Sequence, residues 1–508
     1  MNMGRTFLAR RIDGGRLAAT GLKASDREFF AALERVIYVN PFSEARAQVV
    51  ERLVPGATRA QLALDEEALR RMVEPRLAPF ADADKLRQMG EEDRRLVQNA
   101  FLYVCYHRHL PQVDELIDVE ARGPGTPPTD RLARSVIAEL VQCAFDEDAA
   151  VRYLGFFYQL RRAFHFILDS LTGGSEAMRE LRRALWDNVF THDMLVYRDS
   201  LSSRMEDFST LILGETGTGK GEAAAAIGRS AYIPYLRDKR RFAASFRDSF
   251  IGINLSQFPE TLIESELFGH QKGSFTGAID NHAGVFERCS EHGALFLDEI
   301  GEASAQVQVK LLRVLQDRTF TPIGSREPKR FAGRVIAATN RPWAELRAEG
   351  RFRDDFYYRL CSDVIRMPTL RERIAESPRE LEDLVRVVVL RIVGEDKADV
   401  ASIALETLRR DVPRDYTWPG NVRELEQAVR RILLTGRYAN DLGSAAASME
   451  QEFADLARSG RLNATELLGR YCAMLYRQLG TYAGVAARTG LDRRTARKYI
   501  VEYGGSAP

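Results

Sequence analysis

The sequence predicts a multidomain protein: a mostly helical N-terminal domain, a central α/β domain with a helical lid, and a small α-helical C-terminal domain. At 508 residues the chain is too long for one ordinary core. Helical periodicity dominates its first part, short apolar strands then alternate with glycine loops and helices, and helical patterns return at the end. The predicted bounds are 1–185 for the N-terminal domain, 186–366 for the α/β domain, 367–435 for the lid, 436–460 for a linker and 461–508 for the C-terminal domain.

Composition indicates a globular protein. Charged residues make up 29 % and hydrophobic residues 45 %, and the formal net charge is only +1, so a DNA-binding surface would have to be local. The five cysteines are scattered without a CxxC pair, which is typical of free thiols in a reducing compartment. No apolar run approaches the roughly 18 residues of a membrane span, and arginines replace the apolar core of a signal peptide. We therefore expect a cytoplasmic protein with no membrane partner.

The N-terminal region carries helix signals throughout. Ser25 and Glu28 form a capping-box pattern, and a long apolar helix is predicted for about 148–171, ending at Gly173. The stretch 121–130, "ARGPGTPPTD", is the clearest loop. No strand alternates with helix here, and no acidic pair follows a strand as in a phospho-acceptor receiver domain. Nothing in this region indicates catalysis.

The first chemical motif is "GETGTGKG", which follows the strand "STLIL" and opens an alanine-rich helix. In that context backbone N–H groups can surround phosphates, and Lys220 can reach the β- and γ-phosphates. The usual Ser or Thr after the lysine is Gly221, so Mg²⁺ would be held by Asp298, nucleotide oxygens and water. The ATP-binding residues predicted in this loop are Gly214, Glu215, Thr216, Gly217, Thr218, Gly219, Lys220 and Gly221.

Polar residues follow two further apolar strands. In "GALFLDEIGE" a buried strand would deliver Asp298 to the Mg²⁺ shell, and Glu299 would polarise the attacking water. Two solvated acids would explain this segment alone, but the phosphate loop makes the catalytic interpretation stronger. Asn340, at the end of "RVIAATN", is a candidate γ-phosphate sensor. In a ring, Arg353 and Arg359 could reach a neighbour's nucleotide; taken alone, they are as easily surface ion-pair partners.

These motifs together resemble one family. The segments "ESELFGHQKGSFTGA", "LFLDEIGE", "FRDDFYYRL" and "WPGNVRELEQAVRR" look like the central AAA+ ATPase domain of bacterial sigma-54-dependent transcriptional activators, over about 205–435. The resemblance implies that Asn254 is a switch residue holding the catalytic glutamate, that Arg353 and Arg359 act in trans, and that Arg423 senses nucleotide from the lid. It also implies a sigma-54 contact loop composed of Gly273, Ser274, Phe275, Thr276, Gly277 and Ala278.

Three departures from the family pattern are visible. Ser274 stands where Ala is usual, which should preserve the loop, and Gly221 stands where Glu is common, so no catalytic role is assigned to it. About a dozen extra residues near 233–248 include "PYLRDKRRFAASFRD". This insertion could be a partner surface or an elongated helix–strand connection.

The C-terminal stretch 480–504 predicts a helix, a turn at Gly490 and a second helix capped by Asp492. Residues 461–508 hold eight Lys/Arg against three Asp/Glu, a local basic excess. The pattern resembles the Fis-like helix-turn-helix that ends many of these activators; a solvated basic helix is the alternative. The predicted base readers are Arg493, Arg494 and Thr495, and the predicted phosphate contacts are Arg497 and Lys498.

The sequence thus favours an ATP- and Mg²⁺-dependent transcriptional activator. It would bind upstream DNA, form a homo-oligomer, expected to be a hexameric ring, and remodel sigma-54 RNA polymerase by ATP hydrolysis. The N-terminal domain would regulate it through a ligand, a protein partner or a self-inhibitory contact. The alternatives are an AAA+ remodeller of another protein, whose basic tail would be an interaction module, and a DNA-binding repressor with an inactive ATPase.

Overall fold

The computed structural model describes residues 21–54, 66–123, 129–438, 456 and 462–503. The described chain forms two compact units. The first comprises the described residues up to 398 together with Thr417–Gln427, and the second comprises Asp399–Tyr416 and the described residues from 428 onward. Across the described ranges, no helix combines the length and apolarity needed to cross a membrane.

Every regular element described before residue 205 is helical, as predicted. A π-helical turn, His165–Asp169, follows the seventh helix and replaces the end of the single helix predicted for 148–171. The helices are α1 Ala24–Tyr38, α2 Glu44–Leu53, α3 Glu66–Leu77, α4 Ala83–Gln88, α5 Glu91–Arg122, α6 Thr129–Gln142, α7 Glu147–Phe164 and α8 Glu176–Phe190.

The capping box predicted at Ser25 and Glu28 was wrong. Helix α1 begins at Ala24, with Lys23 at the N-cap and no side-chain cap hydrogen bond. Asp93 of α5 takes over part of this role, because its carboxylate accepts from Leu22 N at 2.9 Å and from the Arg27 guanidinium at 2.8 Å. A tertiary contact therefore stabilises the start of this helix where a local cap was expected.

A parallel five-stranded sheet forms the centre of the α/β region. The strands are β1 Thr210–Leu213, β2 Tyr235–Leu236, β3 Arg241–Phe242, β4 Phe250–Asn254, β5 Ala294–Asp298, β6 Thr319–Phe320, β7 Lys329–Arg330, β8 Arg334–Thr339 and β9 Asp363–Arg366. The sheet order is β4-β5-β8-β1-β9, and every pairing in it is parallel. The strands predicted in "STLIL", "GALFLDEIGE" and "RVIAATN" are confirmed as β1, β5 and β8. All six residues of β8 are buried, as expected when helices cover both faces.

Short helices surround this sheet and continue into the predicted lid. They are α9 Met194–Val196, α10 Lys220–Gly228, α11 Glu260–Phe268, α12 Val285–Arg288, α13 Ala305–Asp317, α14 Trp343–Ala348, α15 Asp354–Leu360, α16 Leu370–Glu376, α17 Arg379–Val393, α18 Ala398–Asp411 and α19 Asn421–Thr435.

A polar network joins the helical region to the sheet inside the first unit. Asn188 of α8 donates to Thr210 Oγ1 of β1 at 3.0 Å and to the Asp363 carboxylate of β9 at 2.6 Å. Arg334 of β8 is buried and donates to Asn188 Oδ1 and Thr210 Oγ1 at 2.9 and 3.0 Å. Apolar residues from both regions form one continuous core around it. The helical region and the sheet are therefore packed as one body.

The insertion at 233–248 packs against the helical part of this body. Strands β2 and β3 form an antiparallel hairpin, and the Phe242 ring stacks on Tyr158 of α7 with centroids 4.2 Å apart. Arg240 O accepts from Thr129 Oγ1 at 3.0 Å, and Phe246 N donates to buried Glu120 at 2.9 Å. The insertion thus contacts the N-terminal helices of its own chain.

The boundary predicted between 185 and 186 falls inside α8. One end of this helix approaches the lid, since Ser175 N donates to Glu380 Oε1 at 2.6 Å. The other end carries Asn188 into the sheet network. A helix with tertiary contacts at both ends does not mark a separation between domains.

The second unit contains a three-helix C-terminal group: α20 Ala464–Leu479, α21 Tyr482–Thr489 and α22 Arg493–Tyr503. Val485, Ala496 and Ile500 meet in its small apolar core with Cys472 and Leu475. The turn at Gly490 has φ +70°, where glycine is favoured. Val485 of α21 and the two residues Ala496 and Ile500 of α22 thus join the last two helices through one apolar contact.

Candidate nucleotide site and interaction surfaces

The predicted nucleotide site lies along the carboxyl edge of the parallel sheet. The loop 214–219 follows β1, Asn254 and Asp298 end two adjacent strands in register, and Asn340 follows β8. Carboxyl ends of parallel strands meet at one edge, which is where such sheets bind ligands. The fold thus brings together the predicted residues from four separate strands.

Lys220 begins α10 and is 8 % exposed. Its ammonium Nζ donates to the carbonyl oxygens of Gly214 and Glu215 at 3.0 and 3.3 Å. Burial lowers the pKa of this amine, and the carboxylates of Asp298 and Glu299 partly oppose that shift. The lysine is therefore held on the loop, with acidic groups near enough to stabilise its charge.

Backbone conformation shapes the loop around Lys220. Gly217 and Gly219 have φ values of +81° and +94°, which other residues rarely adopt. A Cβ on Gly217 would lie 2.1 Å from the carbonyl oxygen of Gly420. By contrast, a Cβ on Gly221 would meet nothing within 4 Å. The first glycine is thus required by a close backbone approach, whereas Gly221 leaves open space where other such loops carry a side chain.

Glu299 directly follows β5 in a left-handed conformation, with φ +53°. Its carboxylate accepts from Asn340 N at 3.4 Å, and Asn340 Nδ2 donates to Thr216 Oγ1 at 3.1 Å. Burial raises the pKa of Glu299, as suits a carboxylate that accepts a proton from water. The candidate base, the candidate sensor and the phosphate loop are therefore linked by hydrogen bonds.

The hydrogen-bond partner of Asn254 differs from the prediction. We expected it to hold Glu299, but its Nδ2 donates to Asp298 Oδ2 at 3.2 Å. Its Oδ1 accepts from Ser256 N at 2.9 Å. The register of β4 and β5 sets Asn254 opposite Asp298. The left-handed backbone at Glu299 directs the carboxylate of Glu299 towards Asn340 N. Asn254 therefore does contact the acidic pair, but its partner is Asp298 and not Glu299.

Sequence reasoning missed a contact between the lid and the phosphate loop. Asn421, fully buried, donates to Glu215 Oε2 and Thr216 O at 3.1 Å each and accepts from Leu370 N at 2.8 Å. Arg371 forms a bidentate ion pair with Glu215 at 2.9 and 2.6 Å. The motif "WPGNVREL" contained Asn421, but only tertiary structure reveals its contacts. Glu215 thus acts as a lid-binding residue of the phosphate loop.

The predicted arginines have different surroundings. Arg423 follows this clamp on α19, and its charge contributes to lowering the pKa of Lys220, which places it near the phosphate position. Arg353 and Arg359 are exposed on α15 and its N-cap. Arg353 pairs with Asp355 at 2.7 Å, and Arg359 Nε donates to Leu315 O at 3.1 Å. Both are open to solvent, as the trans role requires.

The predicted sigma-54 contact loop, 273–278, is a tight turn between α11 and α12. Gly273 and Gly277 have φ values of +79° and +102°, and Gly273 N donates to Ala278 O at 2.8 Å. Phe275 is 38 % exposed, and its ring contacts His270 edge-on at 4.9 Å. The aromatic side chain is therefore presented at the surface on a short, hydrogen-bonded turn.

The remaining members of this loop divide by exposure. Thr276 is exposed beside Phe275, whereas Ala278 is 7 % exposed. Ser274 Oγ is buried and has no hydrogen-bond partner within the described residues. A Cβ added to Gly324 would lie 2.6 Å from the Ser274 Cβ, so residue 324 has to be small. Ser274, which stands where Ala is usual, is thus packed inward beside Gly324. Phe275 and Thr276 remain as the outward pair.

The C-terminal basic residues lie on one exposed helix. Asp492 caps α22 by accepting from Arg494 N and Thr495 N at 2.9 and 3.1 Å, as predicted. Arg493, Arg494, Arg497 and Lys498 are exposed, and Arg497 lies over the Tyr482 ring at 5.7 Å. Thr495 is half-buried and donates to Asp492, so its hydroxyl serves the cap. The four cations are accessible to an anionic partner.

A phosphate loop and an acidic pair lie at the carboxyl edge of this parallel sheet, and a helical lid contacts the loop. Together these features define a P-loop ATPase of the AAA+ class. The family described as "Sigma-54 interaction domain" matches residues 194–366. Regulatory protein AtoC of Escherichia coli K12 is 32 % identical over 346 residues, which cover 64 % of this chain and 71 % of that protein. The chain belongs to the sigma-54-dependent transcriptional activators.

Two further similarities complete the comparison. The transcriptional regulator NtrC of Azospirillum brasilense is 39 % identical over 262 residues, 52 % of this chain and 47 % of that protein. The crystal structure of NtrX from Brucella abortus with ADP aligns with TM-score 0.39 and 19 % identity, over 73 % of this chain and 80 % of that one. The chain spans about half the length of several curated relatives that it matches.

Proposed function

We propose that this protein activates transcription by sigma-54 RNA polymerase through ATP hydrolysis. It binds upstream DNA through the basic face of α22, assembles into a hexameric ring, and remodels the polymerase into an open complex. The observation that carries this proposal is that the matched Sigma-54 interaction domain contains the outward pair Phe275 and Thr276 together with Lys220, Asp298 and Glu299 of the ATP site. All of these residues belong to one compact unit.

The proposed reaction follows from the site. Lys220 and the loop N–H groups bind the β- and γ-phosphates of ATP. Glu299 accepts a proton from water, whose oxygen attacks the γ-phosphorus as the bond to the β,γ-bridging oxygen breaks and ADP leaves. Asp298 would hold Mg²⁺ through water, and the ion would neutralise charge on the phosphates. Asp298 suits this role because it ends a buried strand with its carboxylate at the ligand edge.

Oligomerisation would complete the site. Arg353 and Arg359 are solvent-exposed, and Arg353 is only paired with a neighbouring surface carboxylate, so both can meet a second subunit. An arginine supplied in trans stabilises transition-state charge and contributes about 10³-fold or more to the rate. We therefore propose that ATP turnover depends on assembly.

The N-terminal helices are the proposed regulatory region. Their network through Asn188 reaches three strands of the sheet, and the insertion hairpin adds contacts through Phe242 and Phe246. A change in helix packing would therefore act directly on the strands that carry the ATP site. This arrangement supports control by a ligand or a partner through direct packing.

The test is transcription in vitro from a sigma-54 promoter with the full-length protein, because truncation near 185 would cut α8. Glu299→Gln should abolish ATPase and transcription together, while Glu302→Gln, an exposed acid in the same turn, leaves both near wild type. Thr276→Ala should retain ATPase and lose transcription, with Thr321→Ala as the matched exposed control. Transcription by the Glu299→Gln variant at wild-type level would disprove the proposal.

A further inference from the structure

Three side chains of metal-ligating types meet where α6 packs on α5, away from the ATP site. Cys105 and His109 lie four residues apart on α5, and this spacing puts them on one face of the helix. Glu139 comes from the last turn of α6. One ligand atom of each residue, a sulfur, a ring nitrogen and a carboxylate oxygen, lies within 4.8 Å of the other two. Two helices thus bring a thiol, an imidazole and a carboxylate to one point.

This cluster is largely shielded from solvent. Cys105 and His109 are 1 and 6 % exposed, and the Glu139 side chain is 22 % exposed. Cys105 is also part of the apolar core of the helical region. A surface groove between the same two helices reaches His109 and is lined by Glu115 and Arg131 as well. The groove gives an ion a route to a cluster that is otherwise mostly closed to water.

The Glu139 carboxylate is already oriented as a ligand. Its Oε1 accepts from the Arg108 guanidinium at 2.5 Å, and its Oε2 lies 3.0 Å from His109 Nε2. An outer hydrogen bond of this kind fixes a ligating carboxylate, and Arg108 supplies it without using Oε2. Two ligand atoms at about 2.0–2.1 Å from a tetrahedral ion would be about 3.3 Å apart, close to the separation observed here. The geometry therefore needs little adjustment to admit an ion.

The imidazole of His109 makes no other hydrogen bond within the described residues. Its Nδ1 is buried and has no partner among them, whether or not an ion is bound at Nε2. An ion would therefore displace one hydrogen bond of this ring and leave the pair between Arg108 and Glu139 in place. A simple contact between His109 and Glu139 would explain two of the three groups, but it leaves the convergence of the Cys105 sulfur unexplained.

We propose that Cys105, His109 and Glu139 bind one Zn²⁺ ion. Sulfur, imidazole nitrogen and carboxylate oxygen are the ligand types of protein zinc sites, whereas Mg²⁺ and Ca²⁺ prefer oxygen ligands. On binding, the Cys105 thiol releases its proton to solvent and its sulfur bonds to the ion. The thiolate and the carboxylate then balance the charge of the ion. The fourth position of the tetrahedral site is taken by water.

The ion fastens α6 to α5, and the insertion hairpin packs on the same two helices. Glu120 of α5 accepts from Phe246 N at 2.9 Å, and Thr129 at the start of α6 donates to Arg240 O at 3.0 Å. Zn²⁺ should therefore stabilise the helical region that holds the insertion. Neither the ligand set nor this stabilisation depends on the proposed function.

Metal binding is tested on the full-length protein, reduced, freed of metal with a chelator and kept without nucleotide. Co²⁺ serves as the spectroscopic probe, because a bond from sulfur to cobalt gives a charge-transfer absorption that oxygen and nitrogen ligands do not give. Co²⁺ should produce this absorption band, and an equimolar amount of Zn²⁺ should remove it. Absence of the band, or a band that Zn²⁺ does not displace, would overturn the proposal.

Two pairs of variants localise the ion. Cys105→Ser should abolish the cobalt band, whereas Cys143→Ser should retain it, because this buried thiol, one turn beyond Glu139, lies outside the cluster. His109→Gln should weaken Zn²⁺ binding about 100-fold or more in competition with a chromophoric chelator, since loss of an outer partner alone costs about 10–100-fold. His107→Gln is its control and should bind as wild type does. Equal effects within either pair contradict the ligand set.

Thermal unfolding gives a second measurement, with folding of each variant checked by circular dichroism. A ligand that binds only the folded state raises Tm, so Zn²⁺ should raise the Tm of the wild type and of Cys143→Ser. It should leave the Tm of Cys105→Ser unchanged. An equal rise in Cys105→Ser would show that the ion acts elsewhere and would refute this site.

Discussion

A buried ion pair within the lid, whose two members also bind the backbone just before α8, gives a quantitative prediction. Glu380 and Arg373 have side chains that are 0 and 5 % exposed, and Arg373 Nε and Nη2 donate to Glu380 Oε2 at 2.9 and 2.7 Å. Glu380 also accepts from Ser175 N at 2.6 Å, and Arg373 donates to Thr172 O at 2.6 Å. Each charge is therefore paired and hydrogen-bonded on both sides of the contact.

Glu380→Gln retains the shape and an acceptor for Ser175 N but leaves the Arg373 charge buried without its partner. Removing one member of such a pair costs about 3–5 kcal/mol, and we expect about 3 kcal/mol because the amide keeps some hydrogen bonds. Arg373→Met should cost a similar amount. The double variant removes both charges and should lose only about 1–3 kcal/mol, well below the sum of the single losses.

Urea unfolding followed by tryptophan fluorescence measures these losses. The three tryptophans, Trp186, Trp343 and Trp418, all belong to the first compact unit, so their signal reports on that unit. Circular dichroism should give a coincident transition if unfolding of the unit is two-state. Arg71→Gln, in an ion pair whose arginine is 75 % exposed, is the control and should change stability by less than about 0.5 kcal/mol. Additive losses in the double variant would refute the reasoning.

Three further outcomes are expected. Asn421→Ala removes two hydrogen bonds between the lid and the phosphate loop and one within the lid, and it should weaken ATP binding about tenfold in a titration. An unchanged Kd would contradict the clamp. Burial raises the pKa of Glu299, so the ATPase rate should fall as the pH falls through that raised pKa. The midpoint of this fall should lie above the ordinary glutamate pKa of about 4.3. A midpoint at or below that pKa would argue against Glu299 as the base. Replacing Arg493, Arg494 and Arg497 together by Ala should abolish DNA binding while circular dichroism stays unchanged, since all three are exposed; retained binding would remove α22 from the interface.

Local signals were sufficient for much of the ATP site. The phosphate loop, the acidic pair and Asn340 each follow an apolar strand, and parallel strands must place such residues at a common edge. The cap at Asp492 was equally predictable, because an aspartate at a helix start accepts from the first backbone N–H groups of its own helix. In each case the deciding interactions are short-range or imposed by strand direction.

Contacts between residues distant in sequence required the tertiary structure. The partner of Asn254, the clamp by Asn421 and the packing of the insertion through Phe242 are examples. The predicted boundary at 185/186 falls inside α8 for the same reason, since periodicity shows that a helix is amphipathic but not which surface covers its apolar face. Sequence alone determined the ATPase class and the order of its motifs. Only side-chain packing decided that the N-terminal helices and the ATPase sheet share one core, because burial depends on three-dimensional neighbours.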